Sequence, residues 1–234
     1  MVEPAHLISQ WLWHLLTRLG EAQILLPAML LASAWLALRA GAPRLALVWL
    51  AGTALAAVLT TASKVAFIGY GMGLAALDFT GFSGHAMFAA AVLPPLLRLA
   101  AGTLSTGGRR ASVLLGYALA AAVAASRVVV QAHSWSEVSA GFALGAAASG
   151  LALASGSLPA PRLARWLPVA LASWALLGVL GAPPSRTHDW VTRFALAQSG
   201  RATPYRRSQM HRDQRLRQQR GSPPVAPAVS LPLH

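Results

Sequence analysis

The sequence predicts an all-α protein that is a polytopic bundle of transmembrane helices. Of its 234 residues, 56% are hydrophobic and 11% are charged, and the mean hydropathy is +0.54. These values are typical of integral membrane proteins. Apolar runs long enough to cross a bilayer recur along the chain, and short loops rich in arginine separate them. We therefore expect five or six spans, followed by a disordered basic C-terminal tail.

Composition also excludes several classes of protein. The chain has no cysteine, which excludes disulfides and thiolate metal sites. A net charge of +13 is compatible with nucleic-acid binding. However, the arginines lie in short loops and one tail, and no soluble basic domain is present to form a binding groove. We expect the membrane, and no nucleic acid, as a partner.

The first elements are an interfacial helix and two spans. Residues 1–20 are short for a span and place Trp11 and Trp13 where interfacial anchors occur, so they predict a helix lying at the membrane surface. A further short span is the alternative. Residues 22–38 and 45–61 are then predicted to be the first two spans.

The remaining bundle follows a segment that glycine interrupts. Residues 63–82 are apolar, contain several glycines and include Asp78 near their end, which predicts a re-entrant or surface-lying piece lining a site. Later apolar runs predict spans at about 83–99, 111–130, 136–154 and 167–181. The bundle is thus expected to occupy residues 21–182.

Residues 183–234 are predicted to form the basic C-terminal tail. The stretch 201–220 is rich in Arg and Gln, and the stretch after it is rich in Pro. This composition is typical of disordered segments. We interpret the tail as a variable appendage without a role in the chemistry.

The arginine distribution predicts the orientation of the bundle. If the spans alternate, the loop arginines fall on one side, which the positive-inside rule assigns to the cytoplasm; they are Arg39, Arg44, Arg98, Arg109, Arg110, Arg162 and Arg165. The opposite side receives the buried polar groups. We expect this side to be the periplasmic or extracellular face, in a bacterial inner membrane. The basic tail would share it, against the trend of the rule, which is strongest for short loops.

The stretch 126–137 carries ionisable groups inside sequence that otherwise indicates membrane. Arg127, His133 and Glu137 are costly in a bilayer and persist mainly where they face a cavity or each other. His133 and Glu137 are four residues apart, so on a helix they share one face. A cation that binds anions, a titratable ring and a carboxylate together predict a site for phosphate chemistry.

Three short patterns resemble the motifs of the phosphatidic acid phosphatase type 2 superfamily of membrane lipid phosphatases. The family pattern Ser-Arg-x5-His-x3-Asp matches residues 126–137, with Glu137 in place of Asp. The pattern Pro-Ser-Gly-His matches residues 82–85, with Phe82 in place of Pro. The pattern Lys-x6-Arg-Pro matches only at Lys64, because Gly71 stands where the family has Arg. The resemblance covers about residues 45–155.

The resemblance implies a role for each matched residue. His133 would be the nucleophile that forms a phosphohistidine, oriented by Glu137, and His85 would be the general acid and then the base. The phosphate-binding residues would be Lys64, Ser83, Gly84, Ser126 and Arg127. Such a site implies no metal and no other cofactor, because cationic side chains stabilise the developing charge.

We therefore expect a hydrolase of lipid metabolism that acts on a lipid phosphate or pyrophosphate. The alternative is a non-catalytic protein that binds or transports such a lipid, which the missing motif arginine favours. A proton-coupled transporter using His133 and Glu137 explains less, because it gives no role to His85. Arg186 is a possible substitute for the arginine absent at Gly71. The oligomeric state is not predicted.

Overall fold

The computed structural model of the chain describes residues 4–102, 104–156 and 185–221, together with residues 173, 174, 178 and 181. Its named helices are α1 (Pro4–Leu19), α2 (Ala22–Leu38), α3 (Pro43–Tyr70), α4 (Gly84–Ala100), α5 (Thr106–Val129), α6 (Trp135–Ala154), α7 (Thr187–Ser199) and α8 (Arg207–Gly221). A short 3₁₀ turn covers Ala75–Leu77. The described residues include no strand beyond one isolated bridge, so the predicted all-α class is confirmed.

Four stretches are long and apolar enough to cross a membrane: Trp11–Leu38, Pro43–Tyr70, Thr106–Val129 and Trp135–Ala154. Helix α4 is apolar but shorter. Many leucines on these helices are exposed, such as Leu31 at 70% and Leu38 at 80%, and large exposed apolar surfaces mark contact with lipid or partners. The predicted span at 167–181 lies almost entirely outside the described residues.

Helix α4 is the centre of the bundle and packs between α5 and α6, while α3 packs against α6. On the face of α4 that packs against α6, a glycine of α6 lies very close to the α4 backbone. A Cβ atom built on Gly145 would lie 2.1 Å from the carbonyl oxygen of Met87, so only glycine allows this contact between backbones. Small residues at a helix interface serve this purpose in membrane proteins.

Two consecutive prolines, Pro94 and Pro95, lie inside α4. Proline has no backbone N–H, so the carbonyls four residues earlier, at Ala90 and Ala91, lose their helical donors. Side chains of neighbouring helices replace them. Ser149 Oγ donates to Ala90 O at 2.7 Å, and Trp49 Nε1 donates to Ala91 O at 2.8 Å. The prolines are therefore accommodated at membrane depth by hydrogen bonds between helices.

Helix α3 is longer than the sequence predicted. It continues through Lys64 to Tyr70, so Lys64 lies on a helix and not in a re-entrant segment. The helix ends at Gly71, whose φ of 73° is left-handed and whose N–H donates to Phe67 O at 2.9 Å. Ser63 and Lys64 do not break the helix, so it continues until the left-handed conformation of Gly71 ends it. The connection to α4 is therefore shorter than the expected segment.

The C-terminal region also differs from the prediction. Residues 187–221, expected to be disordered, contain α7 and α8. Val191 and Ala195 of α7 and Met210 of α8 are buried in one apolar cluster with Phe67 and Ile68 of α3. These few apolar residues pack against α3, although the segment as a whole is rich in Arg and Gln and its composition therefore does not predict such packing. Residues 222–234 of the predicted tail lie outside the described residues.

Candidate active site

A cavity of about 790 Å³ opens at the end of the bundle where α3 ends and α4 begins. Five of the predicted site residues line it: Lys64, Gly84, His85, Arg127 and His133. They come from α3, α4, α5 and the turn between α5 and α6. The fold thus brings together three sequence patterns that are separated by up to 70 residues.

His133 and Glu137 form the best-defined pair of the site. His133 Nδ1 lies 2.7 Å from Glu137 Oε2. Glu137 is the third residue of α6 and completes a capping box with Ser134, so the start of the helix holds the carboxylate. If Nδ1 carries the proton that the carboxylate accepts, Nε2 keeps its lone pair. The pair can therefore present a nucleophilic nitrogen.

The Glu137 side chain is completely buried and receives several further hydrogen bonds. Its Oε1 accepts from the Thr80 backbone N–H at 2.7 Å, from the Thr80 hydroxyl and from Arg207 at 2.8 Å. Its Oε2 accepts from Ser134 N at 3.2 Å. A buried carboxylate is costly unless donors satisfy it, and here they do. The network fixes the carboxylate that orients His133.

Burial lowers the pKa of His133 below its ordinary value. The positive charges of Lys64 and Arg127 lower it further, whereas the hydrogen bond and charge of Glu137 raise it. The pKa remains lowered, so His133 is neutral at pH 7. A neutral imidazole is the form that can attack phosphorus.

Lys64 and Arg127 bring positive charge to the cavity wall, whereas the Glu21 carboxylate that also lines the cavity is paired with Arg18 and Gln23. Neither Lys64 nor Arg127 forms an ion pair among the described residues, and Arg127 Nε is buried without a hydrogen-bond partner there. A Cβ atom added to Gly84 would lie 3.9 Å from Lys64 Nζ, so glycine leaves open the space beside this ammonium. Unpartnered cationic donors next to open space are suited to an anion.

The start of α4 supplies His85 and the backbone around it. Ser83 is the residue preceding the helix, and its N–H donates to Glu137 O at 3.1 Å, which ties this terminus to α6. The Ser83 hydroxyl is buried and has no partner among the described side chains and backbone groups. His85 lines the cavity one residue into the helix. This position places a titratable ring in the wall that also carries His133.

Ser126 lies outside the cavity lining, although we expected it to contact phosphate. Its hydroxyl donates to Val123 O at 2.6 Å and lies 2.7 Å from Thr17 Oγ1. The residue is fully buried and joins α5 to α1. We therefore assign it a role in packing. Glu137 and Ser83 also lie behind the lining residues and support them.

Several site residues were not found from the sequence. Thr80 binds Glu137, and no motif signals it. Arg206 and Arg207 line the cavity from a segment that the sequence predicts to be an appendage, whereas Arg186 does not line it. An arginine-rich segment gives no signal of which arginine folds back. Among the described residues, no group of three or more His, Asp or Glu side chains converges as a metal site.

Comparisons with known proteins show the family of the chain. The family model of the PAP2 superfamily matches residues 75–157. The chain is 44% identical over 141 residues to an "Uncharacterized 22.5 kDa protein in cps region" of Klebsiella pneumoniae, an alignment that covers 60% of this chain and 68% of the relative. No solved structure matches. The match supports a phosphatase-type function, and the chain belongs to the PAP2 superfamily.

Proposed function

We propose that the protein is an integral membrane phosphatase that hydrolyses a lipid phosphate or pyrophosphate through a phosphohistidine on His133. The observation that carries the proposal is the contact between His133 Nδ1 and the buried Glu137 carboxylate, in the wall of a cavity that also holds unpaired cations. This arrangement supplies a neutral nucleophile next to a site for an anion. Family membership supports the same class of reaction.

The first half of the reaction transfers the phosphoryl group to the protein. His133 Nε2 attacks phosphorus, the bond from phosphorus to the leaving oxygen breaks, and a P–N bond forms. His85, whose protonated form is favoured by the negative charge of the bound substrate, donates a proton to the leaving oxygen. Lys64 and Arg127 neutralise the phosphoryl oxygens as negative charge redistributes. Glu137 keeps its hydrogen bond to Nδ1–H and stabilises the ring as it becomes positively charged.

The second half returns the protein to its starting state. His85, now neutral, accepts a proton from water as the water oxygen attacks phosphorus. The P–N bond breaks, inorganic phosphate forms, and His133 regains its lone pair. No step requires a metal ion, because the charges that change are matched by protein side chains.

The lining of the cavity favours a lipid substrate. Besides the polar groups, it includes Phe67, Ile68 and Phe88. An amphiphile with a phosphate head and an apolar tail fits such a mixed wall in a protein whose helices are long enough to span a bilayer. We propose that the active site faces the periplasm or exterior of a bacterial inner membrane, and that phosphatidic acid, phosphatidylglycerol phosphate or a polyprenyl pyrophosphate is the substrate.

The first experiment measures phosphate release from these three lipids by the detergent-purified protein in the presence of a chelator. We expect release by the wild type, no release by His133→Ala, and wild-type release by His14→Ala. His14 is an exposed histidine of α1 outside the cavity and is the matched control. With ³²P-labelled substrate, denaturing the wild type during turnover should trap an acid-labile, alkali-stable phosphoprotein that His133→Ala does not form.

Two results would overturn the proposal. Release that persists in His133→Ala excludes the phosphohistidine, and release that the chelator abolishes excludes the metal-free route. A wild type that binds the lipids and releases nothing favours the binding or transport alternative. Gly71, where the family has arginine, is the observation in favour of that alternative.

A further inference from the structure

We propose that the segment 204–211, which we call the arm, folds back to complete the active site, and that Arg206 binds the phosphoryl oxygens of the substrate. This inference deepens the proposed function and rests on it. The arm follows α7 and forms the first turn of α8. It contributes Pro204, Tyr205, Arg206 and Arg207 to the lining of the same cavity that holds His133.

The arm is docked on the end of α3. The N–H of Tyr205 donates to Ile68 O at 2.9 Å, a carbonyl in the last turn of the helix, where carbonyls lack helical donors. The Tyr205 ring packs edge-to-face on Phe67 with the centroids 5.5 Å apart. Met210, only 5% exposed, packs in the same cluster. Backbone and apolar contacts together place the arm independently of its charges.

The docked arm occupies the space next to Gly71. A Cβ atom built on Gly71 would lie 3.4 Å from the Tyr205 ring, and the φ of 73° disfavours any larger residue. Position 71, where the pattern Lys-x6-Arg-Pro has its arginine, is therefore covered by the arm. The arm itself contains two arginines, Arg206 and Arg207. The lack of an arginine at position 71 and the docking of the arm therefore belong together, because the arm occupies the space beside this residue.

Arg207 is already matched by acidic partners. It forms ion pairs with Asp78 and, at 2.8 Å, with Glu137. His211 Nε2 also lies 2.7 Å from Asp78 Oδ1. These contacts join the arm to the connection before α4 and to the start of α6. Because its charge is balanced by carboxylates, Arg207 serves as the anchor of the arm.

Arg206 differs from its neighbour. Its backbone N–H donates to Gln209 Oε1 at 2.8 Å, which fixes the start of α8. Its guanidinium forms no ion pair or hydrogen bond with the described residues. It therefore adds a third unmatched cation to the cavity beside Lys64 and Arg127. Three cations around one pocket suit a phosphate monoester dianion or a pyrophosphate, and guanidinium can bind two phosphoryl oxygens at once.

The test compares Arg206→Ala and Arg206→Lys with Arg212→Ala in the full-length protein. Arg212 is an exposed arginine of α8 that does not line the cavity, so its removal changes the net charge equally without changing the site. Two quantities are measured for each protein: kcat/KM for release of phosphate from the lipid that the wild type hydrolyses, and the Kd of inorganic orthophosphate by calorimetry.

We expect Arg206→Ala to lower kcat/KM by roughly 10²–10³-fold, as for loss of another group that stabilises transition-state charge. It should also weaken orthophosphate binding at least tenfold. Arg206→Lys should recover part of both losses, because it keeps the charge without the bidentate geometry. Arg212→Ala should match the wild type in both measurements.

The two measurements separate this inference from the proposed function. If the wild type hydrolyses lipid phosphate and Arg206→Ala equals Arg212→Ala, the arm is not part of the site and the phosphatase proposal stands. If no lipid is hydrolysed but Arg206→Ala alone weakens orthophosphate binding, the arm stands as an anion-binding element and the phosphatase proposal falls.

Discussion

At the scale of single residues, the site depends on one carboxylate with three tasks. Glu137 orients His133, closes the capping box of α6 and accepts the arm through Arg207. The family pattern has aspartate at this position. The longer side chain of glutamate suits a carboxylate whose two oxygens point in different directions. One oxygen receives the imidazole and the other receives Thr80 and Arg207.

The charges around His133 predict opposite shifts of the acid limb of the pH–rate profile. An ordinary histidine has a pKa of about 6.5. Because burial and cations lower the pKa of His133, the wild-type limb in kcat/KM should lie below this value. Lys64→Met removes a charge that lowers the pKa, so the limb should move to higher pH. Glu137→Gln removes a negative charge that raises the pKa, so the limb should move to lower pH.

The measurement is kcat/KM from pH 4 to 8 with one lipid, in each variant and in the wild type. Both variants should lose activity at the optimum, since both groups belong to the site. The ionisation of the substrate is common to all three proteins and does not affect the direction of the shifts. If the acid limbs of the two variants shift in the same direction, or do not shift, the acid limb does not report on His133.

The grouping of Lys64, His85, Arg127 and His133 in one site was predictable, because their order and spacing are properties of the sequence. Their common position in the cavity wall follows from helices that alternate in direction. Thr80 and Ser126 were not predictable in the same way. Hydroxyl groups satisfy local backbone or buried partners in many settings, and only the packed structure shows which partner each one has.

At the scale of elements, the prolines of α4 show how a central helix is held by its neighbours. Pro94 and Pro95 deprive two carbonyls of their donors, and Ser149 and Trp49 supply replacements from α6 and α3. These hydrogen bonds also fix the rotation of α4, whose first turn carries His85. The orientation of His85, which we propose as the general acid and base, therefore depends on contacts at the middle of the same helix.

This arrangement predicts coupling between Trp49 and Pro95. Trp49→Phe should destabilise the protein by about 1–3 kcal/mol, because Ala91 O loses its replacement donor in an apolar environment. In a Pro95→Ala background, residue 95 regains an N–H that can donate to Ala91 O, so the same change should cost less. Thermal unfolding in detergent of the four proteins of the double-mutant cycle gives the coupling.

The cost of replacing an indole by a smaller ring is present on both sides of the cycle and cancels. A cycle in which the two changes are additive would indicate that Trp49 acts through its volume alone. Ser149 offers no equally clean comparison, since its hydroxyl also lies 3.0 Å from Tyr117.

Elements were predicted well where apolar runs are bounded by glycine, proline or arginine. Helix α2 begins and ends where the sequence indicated. The end of α3 was misplaced because Ser63 and Lys64 interrupt the apolar run without breaking the helix. Helices α7 and α8 were missed because their stability comes from a few contacts with α3 and not from an extended apolar face.

At the scale of the whole molecule, the bundle has two chemically different ends. The cavity that holds His133 lies at one end, and a second cavity lined by Arg98, Arg109, Arg110 and Gly156 lies at the other. The arginine-rich end carries no site residue. Positive charge in short loops favours the cytoplasm, so this division sets the orientation that we propose.

Cysteine labelling tests this orientation cleanly, because the chain has no cysteine of its own. Ala202→Cys, near the arm, should react with a membrane-impermeant maleimide in intact cells. Gly156→Cys, at the other end, should react only after the cells are lysed. Both positions are exposed, and a side chain on Gly156 meets no atom within 4 Å, so folding should be unaffected.

The reverse pattern of labelling would place the active site in the cytoplasm and overturn the proposed orientation. Equal labelling of both positions in intact cells would indicate a mixed population of orientations.

The position of the arm along the chain has a consequence for biosynthesis. The arm is translated after every helix that carries a motif residue. A nascent protein can therefore insert the whole motif-bearing bundle into the membrane while its phosphate site still lacks Arg206 and its carboxylate still lacks Arg207. On the arrangement that we propose, hydrolysis reaches its full rate only when the arm has been synthesised and has docked at the cavity, so the growing chain acts only slowly on the lipids around it.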